Sequence, residues 1–198
     1  MLNWHAKFWN QPPKPVPMSD PAVKASYRKA EPQDAQAIWV IIKAEIAVMA
    51  SQGRDQWQRG YPNPQVIAAD IEAHRGYVLT LPDGSITGYC ALLSGGDPHY
   101  DHPLSGQWLT ASDSSCCRYS VIHRMAIDHR LTGHGLAQQF FGLMEQETVL
   151  LGLESLRVDT NHDNAQMLHI VERLGYTRCC RVMLDDGERI GFEKVLKH

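Results

Sequence analysis

The stretch Ile127-Asp128-His129-Arg130-Leu131-Thr132-Gly133-His134-Gly135-Leu136-Ala137 decides how this chain is read. Before it, Tyr119–Ile127 reads as a buried strand. After it, Leu136, Phe140, Leu143, Met144 and Leu151 recur at helical spacing. Between them sit Gly133 and Gly135, which let a backbone approach a ligand closely and turn its N–H groups inward. The partial positive charge of a helix start adds to those amides. Strand, glycine turn and helix together predict an anion site suited to a pyrophosphate. The chain contains no G-x-x-x-x-G-K-[S/T] and no G-x-G-x-x-G, so the nucleotidase and dinucleotide loops do not explain the turn.

Working outward, Ser26–Ala30 reads as a short strand, and Pro32 with Asp34 opens a helix whose apolar stripe is Ile38, Ile42, Ile46 and Met49. Asn63-Pro64 starts a second helix, with Gly76 as its stop. Tyr77–Leu81 and Ile86–Leu93 flank Pro82-Asp83-Gly84-Ser85, a hairpin pattern. Residues 94–118 form a long polar loop of the kind that is often functional. Beyond the deciding stretch come a strand centred on Leu156–Val158, a helix over Ala165–Leu174 and a hairpin turning at Asp185-Asp186-Gly187. The element order is β-α-α-β-β-β-α-β-α-β-β, an α/β domain with a mixed sheet.

The chain has 198 residues, which favours one domain. Five of its eleven prolines (Pro12, Pro13, Pro15, Pro17 and Pro21) fall in residues 1–24, read as an N-terminal extension or an arm lying on the domain through Trp4, Phe8 and Trp9. Residues 25–198 are the domain. A net charge of −3 argues against a broadly basic nucleic-acid surface. No apolar run reaches the ~20 residues that span a membrane. The five cysteines are odd in number and no signal peptide is visible, so a reducing cytoplasm is expected. Adjacent cysteines, Cys116-Cys117 and Cys179-Cys180, point to opposite faces of a strand, so no metal site is expected.

Two segments resemble the GNAT superfamily of N-acetyltransferases. The family's pyrophosphate loop, Q/R-x-x-G-x-G/A, follows its central strand. Arg130-x-x-Gly133-x-Gly135 matches it literally; Thr132-x-x-Gly135-x-Ala137 fits the family spacing from the strand end and is the preferred register, with Thr132 in the Gln/Arg slot and Arg130 as a nearby charge. Asn164-Ala165-Gln166-Met167-Leu168-His169-Ile170-Val171-Glu172-Arg173-Leu174-Gly175-Tyr176 is similar to the family's N-x-x-A-x-x-x-Y-x-x-x-G-F, with Val171 in the slot of the tyrosine that often protonates the leaving thiolate. The resemblance implies a mostly antiparallel mixed sheet, split in a V between its central strands and flanked by about four helices. It implies acetyl-CoA as co-substrate: the pantetheine arm along the backbone of Met125, Ala126 and Ile127, the pyrophosphate on Arg130 to Ala137, and Asn164 reaching in from the next helix.

The implied reaction is direct attack of an amine on the thioester. A base near neutral pH helps it, and His123 on the central strand is the candidate, on the face of Val121 and Met125 if the strand is regular. Arg124 then points the other way into an ion pair. Glu45, among inward positions of the first helix, is a second acid–base candidate. Trp57, Tyr61, Tyr100 and Trp108 are candidate acceptor walls. A water, Tyr176 or a loop tyrosine would protonate the thiolate. The acceptor is a small-molecule amine or a protein or peptide amine; a homodimer is one assembly open to the chain. The competing reading is a protein that binds acyl-CoA with little or no turnover.

Overall fold

The computed structural model describes residues 24–196, so the leader expected over residues 1–24 lies outside the described residues save for Lys24. The elements are β1 (Ser26–Lys29), α1 (Ala35–Ser51), α2 (Pro64–Glu72), β2 (Gly76–Thr80), β3 (Ile86–Leu93), β4 (Ser105–Gly106), β5 (Tyr119–Ile127), α3 (Leu136–Leu150), β6 (Ser155–Thr160), α4 (Ala165–Arg173), β7 (Thr177–Leu184) and β8 (Gly187–Val195). One sheet takes all eight strands in the order β1-β2-β3-β5-β6-β8-β7-β4. Neighbours are antiparallel except β5 and β6, which run parallel. This is the mixed, mostly antiparallel sheet with four helices that the resemblance implied.

Local chemistry explains the helix starts. A 3-10 turn, Pro32–Asp34, leads into α1, with Glu31 and Asp34 in a reciprocal capping box. Asn63 and Asn164 cap α2 and α4 by accepting from the N–H groups of Val66 and Met167. Gly76 does not stop α2, as the sequence suggested; α2 ends at Glu72 and His74 makes the turn with φ 53°. Gly76 instead opens β2, where a Cβ would stand 3.3 Å from Ala30 Cβ and from the Tyr89 ring.

One core lies against α3 and α4, with Ile122, Met125, Phe140, Phe141, Met144 and Val171 among its members. A second lies against α1 and α2, with Ile38, Ile42, Ile67, Tyr89 and Ala126. A third packs Tyr100, Tyr119, Val121, Cys180 and Val182 under the long loop. That loop is fastened down. β4 pairs with β7, and Glu193 accepts from the Leu109 N–H at 2.6 Å and from Thr110 Oγ1 at 2.5 Å. Glu193 also faces Arg157 at 3.1 Å with both side chains wholly buried. The Arg157 guanidinium lies between two aromatic faces, 3.6 Å from the Tyr119 centroid and 4.4 Å from that of Trp108.

Candidate active site

The site begins where two strands part. β5 and β6 pair from Tyr119↔Ser155 to Ile122↔Val158 and then separate, although β5 runs on to Ile127 and β6 to Thr160. The β5 edge beyond Ile122 therefore presents unpaired peptide groups on that side, the V expected between central strands. On its other edge β5 stays with β3, but with a bulge: His123 faces Ala91 and Ala126 faces Tyr89, so Arg124 and Met125 together oppose Cys90. Arg124, within the bulge, sits at φ 56°, in the left-handed region.

The bulge corrects the expected strand phase. Met125 shares the α3-side core with Ile122, not the face of His123. His123 turns toward Tyr100 and Asp97, and Arg124 turns to Asp70 of α2, on the face that also carries Val121 and Ala126. The expectation that Arg124 forms a packed ion pair holds; the expectation that it leaves from the opposite face does not. Its Nε and Nη2 bond the two Asp70 oxygens at 2.8 and 2.9 Å, and Nη1 bonds the Tyr61 hydroxyl. Asp70, wholly buried, also accepts from Tyr89 and Arg75.

At the end of β5 a 3-10 turn, His129–Leu131, leads to Gly133 at φ 91° and Gly135 at φ 71°, which caps α3. Among the described residues, the amides of Gly133 to Gln138 have no acceptor within the chain. A Cβ on Gly133 would meet nothing within 4 Å, so the cradle is open. Thr132 Oγ1 is spent on the His129 carbonyl at 2.8 Å. Arg130 folds back on Asp128, with Nη2 at 2.5 Å, so it does not serve the loop as the expected free charge. His134 is exposed and takes no part in the cavity wall.

A continuous cavity of about 750 Å³ joins this cradle to the open β5 edge and ends at His123 and Asp159. Leu131, Thr132, Gly133, Gly135, Leu136 and Ala137 line one end; Met125, Ala126 and Ile127 line the middle. Trp57 and Tyr61 line it. Tyr100 and Trp108 do not. Tyr100 is wholly buried and stacks on Trp108 at 4.9 Å, so both are packing beneath the loop rather than an acceptor wall. Glu45 lines the cavity, but the charges that act on it are His129, Asp128 and Arg54, at the cradle end. Burial raises its carboxyl above the ordinary range. Asn164 also lines the cavity, yet its side chain is largely committed: besides capping α4 it accepts from Arg54 Nη1 at 3.2 Å and donates to Gln56 Oε1 at 3.3 Å. It straps the α1–α2 connection to the far arm of the V.

The other end is a carboxylate–imidazole cluster that sequence reasoning did not assemble. His123 Nε2 is 2.8 Å from Asp97 Oδ2, and Nδ1 is 3.7 Å from Asp159 Oδ1. Burial would raise the Asp97 carboxyl; bonds from His123 and from the His99 amide and ring outweigh it and hold the group well below the usual carboxylate range. An ionised carboxylate only accepts, so Nε2 of His123 carries a hydrogen toward it. Asp159 is pushed upward by burial, against the pull of His123, the Tyr100 hydroxyl and Arg189. Tyr100 donates to it at 2.6 Å. Asp186, paired to Arg189 at 2.6 Å, completes this wall. Asp97 had a signal in the sequence, an Asp-Pro-His turn in a loop marked as functional. Asp159 had a fainter one, a lone acid at the end of an apolar strand.

Known structures share this fold. An acetyltransferase of the GNAT family from Streptococcus agalactiae matches with 34% identity over 88% of this chain and 96% of its own, at a TM-score of 0.77. The chain belongs to the GNAT family of acetyltransferases. A GNAT-family acetyltransferase from Listeria monocytogenes shares the fold at 16% identity, TM-score 0.69, over 90% of this chain and 99% of its own. A Salmonella typhimurium protein described as an acetyltransferase, solved with its cofactor acetyl-CoA, shares it at 16% identity, TM-score 0.59, over 88% and 95% of the two chains. No protein-family model and no curated protein matched the sequence.

Within this GNAT chain, the position that the family motif fills with tyrosine is closed to the reaction. Val171 is wholly buried against α3 and does not line the cavity. Tyr176, the alternative five residues on, is buried in the same core, edge-on to Phe141, and does not line it either.

Proposed function

We propose that the protein transfers the acetyl group of acetyl-CoA to the nitrogen of an amine by direct attack in a ternary complex. The residues present suit that co-substrate. Six consecutive free amides at the start of a 15-residue helix suit a pyrophosphate. The open β5 edge over Met125 to Ile127 offers the N–H and C=O groups that an amide-bearing arm needs. When bound, acetyl-CoA supplies an activated acetyl carbon and a thiolate leaving group.

The observation that carries the reading is the His123–Asp97–Asp159 cluster at the opposite end of the same cavity. Asp97 holds the Nε2 hydrogen of His123, which leaves Nδ1 bare toward Asp159. Nδ1 takes a proton from the acceptor nitrogen. The Asp159 carboxyl, on the far side of that position, orients the amine through its N–H groups. Asp97, Asp159 and Asp186 against Arg189 make this end electronegative, which favours an amine arriving as a cation. The acceptor class is a small-molecule or protein amine, and a reducing cytoplasm fits five cysteines that are all free. Calorimetry with acetyl-CoA, followed by CoA release with a panel of amines, tests this. Turnover on an amine supports it. Tight binding with no turnover on any amine favours a binding protein instead.

A further inference from the structure

The chain has seven tyrosines, and six of their hydroxyls are committed or shut away. Tyr27 and Tyr77 donate to Glu147, Tyr89 to Asp70 and Tyr100 to Asp159. Tyr119 is wholly buried under the loop, accepting from the Asp97 N–H at 3.3 Å, and Tyr176 is buried against α3. Tyr61 differs. It lines the cavity, is 37% exposed, and its oxygen accepts from Arg124 Nη1. A guanidinium cannot accept in return. Among the described residues the phenol hydrogen therefore has no partner, and it is free to point into the cavity. Behind it, the buried Asp70 clamps Arg124, itself in a strained conformation at the bulge where the open edge begins.

We propose that Tyr61 is the proton donor to the leaving sulfur, a catalytic role resting on the acetyl-transfer reading above. As the acceptor nitrogen bonds to the acetyl carbon, the C–S bond breaks and its electron pair goes to sulfur. Tyr61 Oη gives that sulfur a proton. The phenolate left behind is balanced by the Arg124 guanidinium. The proton removed from the amine, held on His123, restores the phenol through water, so the sum is amine plus thioester to amide plus thiol. The charged groups facing Tyr61 are Arg124 from β5, Asp70 from α2 behind it, and Asp159 from β6. Burial pushes the phenol up and Arg124 holds part of the rise back, so the proton is in place at neutral pH.

Tyr61→Phe tests this, since it keeps the ring and removes only the proton. Expected are an unchanged acetyl-CoA affinity by calorimetry and unchanged acceptor KM. The value of kcat should fall at least tenfold, within reach of the roughly 10²–10⁴-fold worth of a positioned acid. The alkaline limb of the wild-type kcat profile should vanish with it. An ultraviolet titration of the enzyme without substrates should lose one phenol ionisation, and Arg124→Lys should move that ionisation upward. Full kcat in Tyr61→Phe, or a loss confined to acceptor KM, overturns the proposal while leaving acetyl transfer intact. A wild-type protein inactive on every amine overturns both.

Discussion

The Nε2 of His123 and the Oδ2 of Asp97 stand 2.8 Å apart, joining the central strand to a loop that begins beyond the neighbouring strand. The pairing fixes which imidazole nitrogen is bare. Asp97→Asn offers an amide in place of an acceptor-only carboxylate and allows the ring to turn or change tautomer. We expect kcat to fall by about 10²-fold or more in Asp97→Asn and in His123→Ala. Steady-state kinetics against pH should give different kcat profiles for the wild type and His123→Ala. An unaltered profile returns His123 to a structural role.

The same carboxylate ties stability to acid. Asp97 in the folded protein is held below its unfolded value, so its contribution is complete above the ordinary carboxylate pKa of about 4. It is lost as pH falls through the lower, folded value. Urea midpoints measured downward from neutral pH should drop less steeply in Asp97→Asn than in the wild type.

Gly135 caps α3 at φ 71°, where a side chain is strained whatever the space around it. Within the protein a Cβ there would meet only Gln138 Oε1, at 3.9 Å, so the main obstacle it creates is to a ligand on the cradle. Gly135→Val should cost about 1–2 kcal/mol of stability through the left-handed backbone. Calorimetry should show acetyl-CoA binding abolished; unchanged affinity would remove the cradle from the cofactor site.

Arg157 and Glu193 are both wholly buried, and Glu193 also holds the long loop through Leu109 and Thr110. Glu193→Ala leaves a bare cation in the core and should cost roughly 3–5 kcal/mol. Replacing the pair together with Met and Leu should cost much less. Equilibrium denaturation of the single and double variants measures the difference.

Much of this was legible in the sequence because period and punctuation agree with tertiary structure. Tyr119–Ile127 is a strand over those residues, and Asn63-Pro64 starts α2 as its capping chemistry requires. The cradle was legible because Gly133 and Gly135 have few other uses between a strand and a helix. The bulge was not. An extra residue opposite Cys90 leaves no compositional mark, yet it swings Arg124 onto the face of His123. Asp97 and Asp159 were missed for a related reason: they lie 26 and 36 residues from His123 by their numbering, and only strand pairing and the packed loop bring them to it. Tyr100 and Trp108 misled because an aromatic in a polar loop looks the same whether it walls a ligand or plugs the loop's own underside.

The parting of β5 from β6 has a consequence for what substitution can do to this protein. Every residue carries the same peptide N–H and C=O, so a partner gripped by the bare margin of Met125 to Ile127 is indifferent to which side chains stand there. Point changes along that margin are buffered, whereas inserting or deleting a single residue would slide every donor and acceptor out of step. On the proposed reading, acceptor preference would be written in side chains at the far end, free to drift while the grip on the common donor persists.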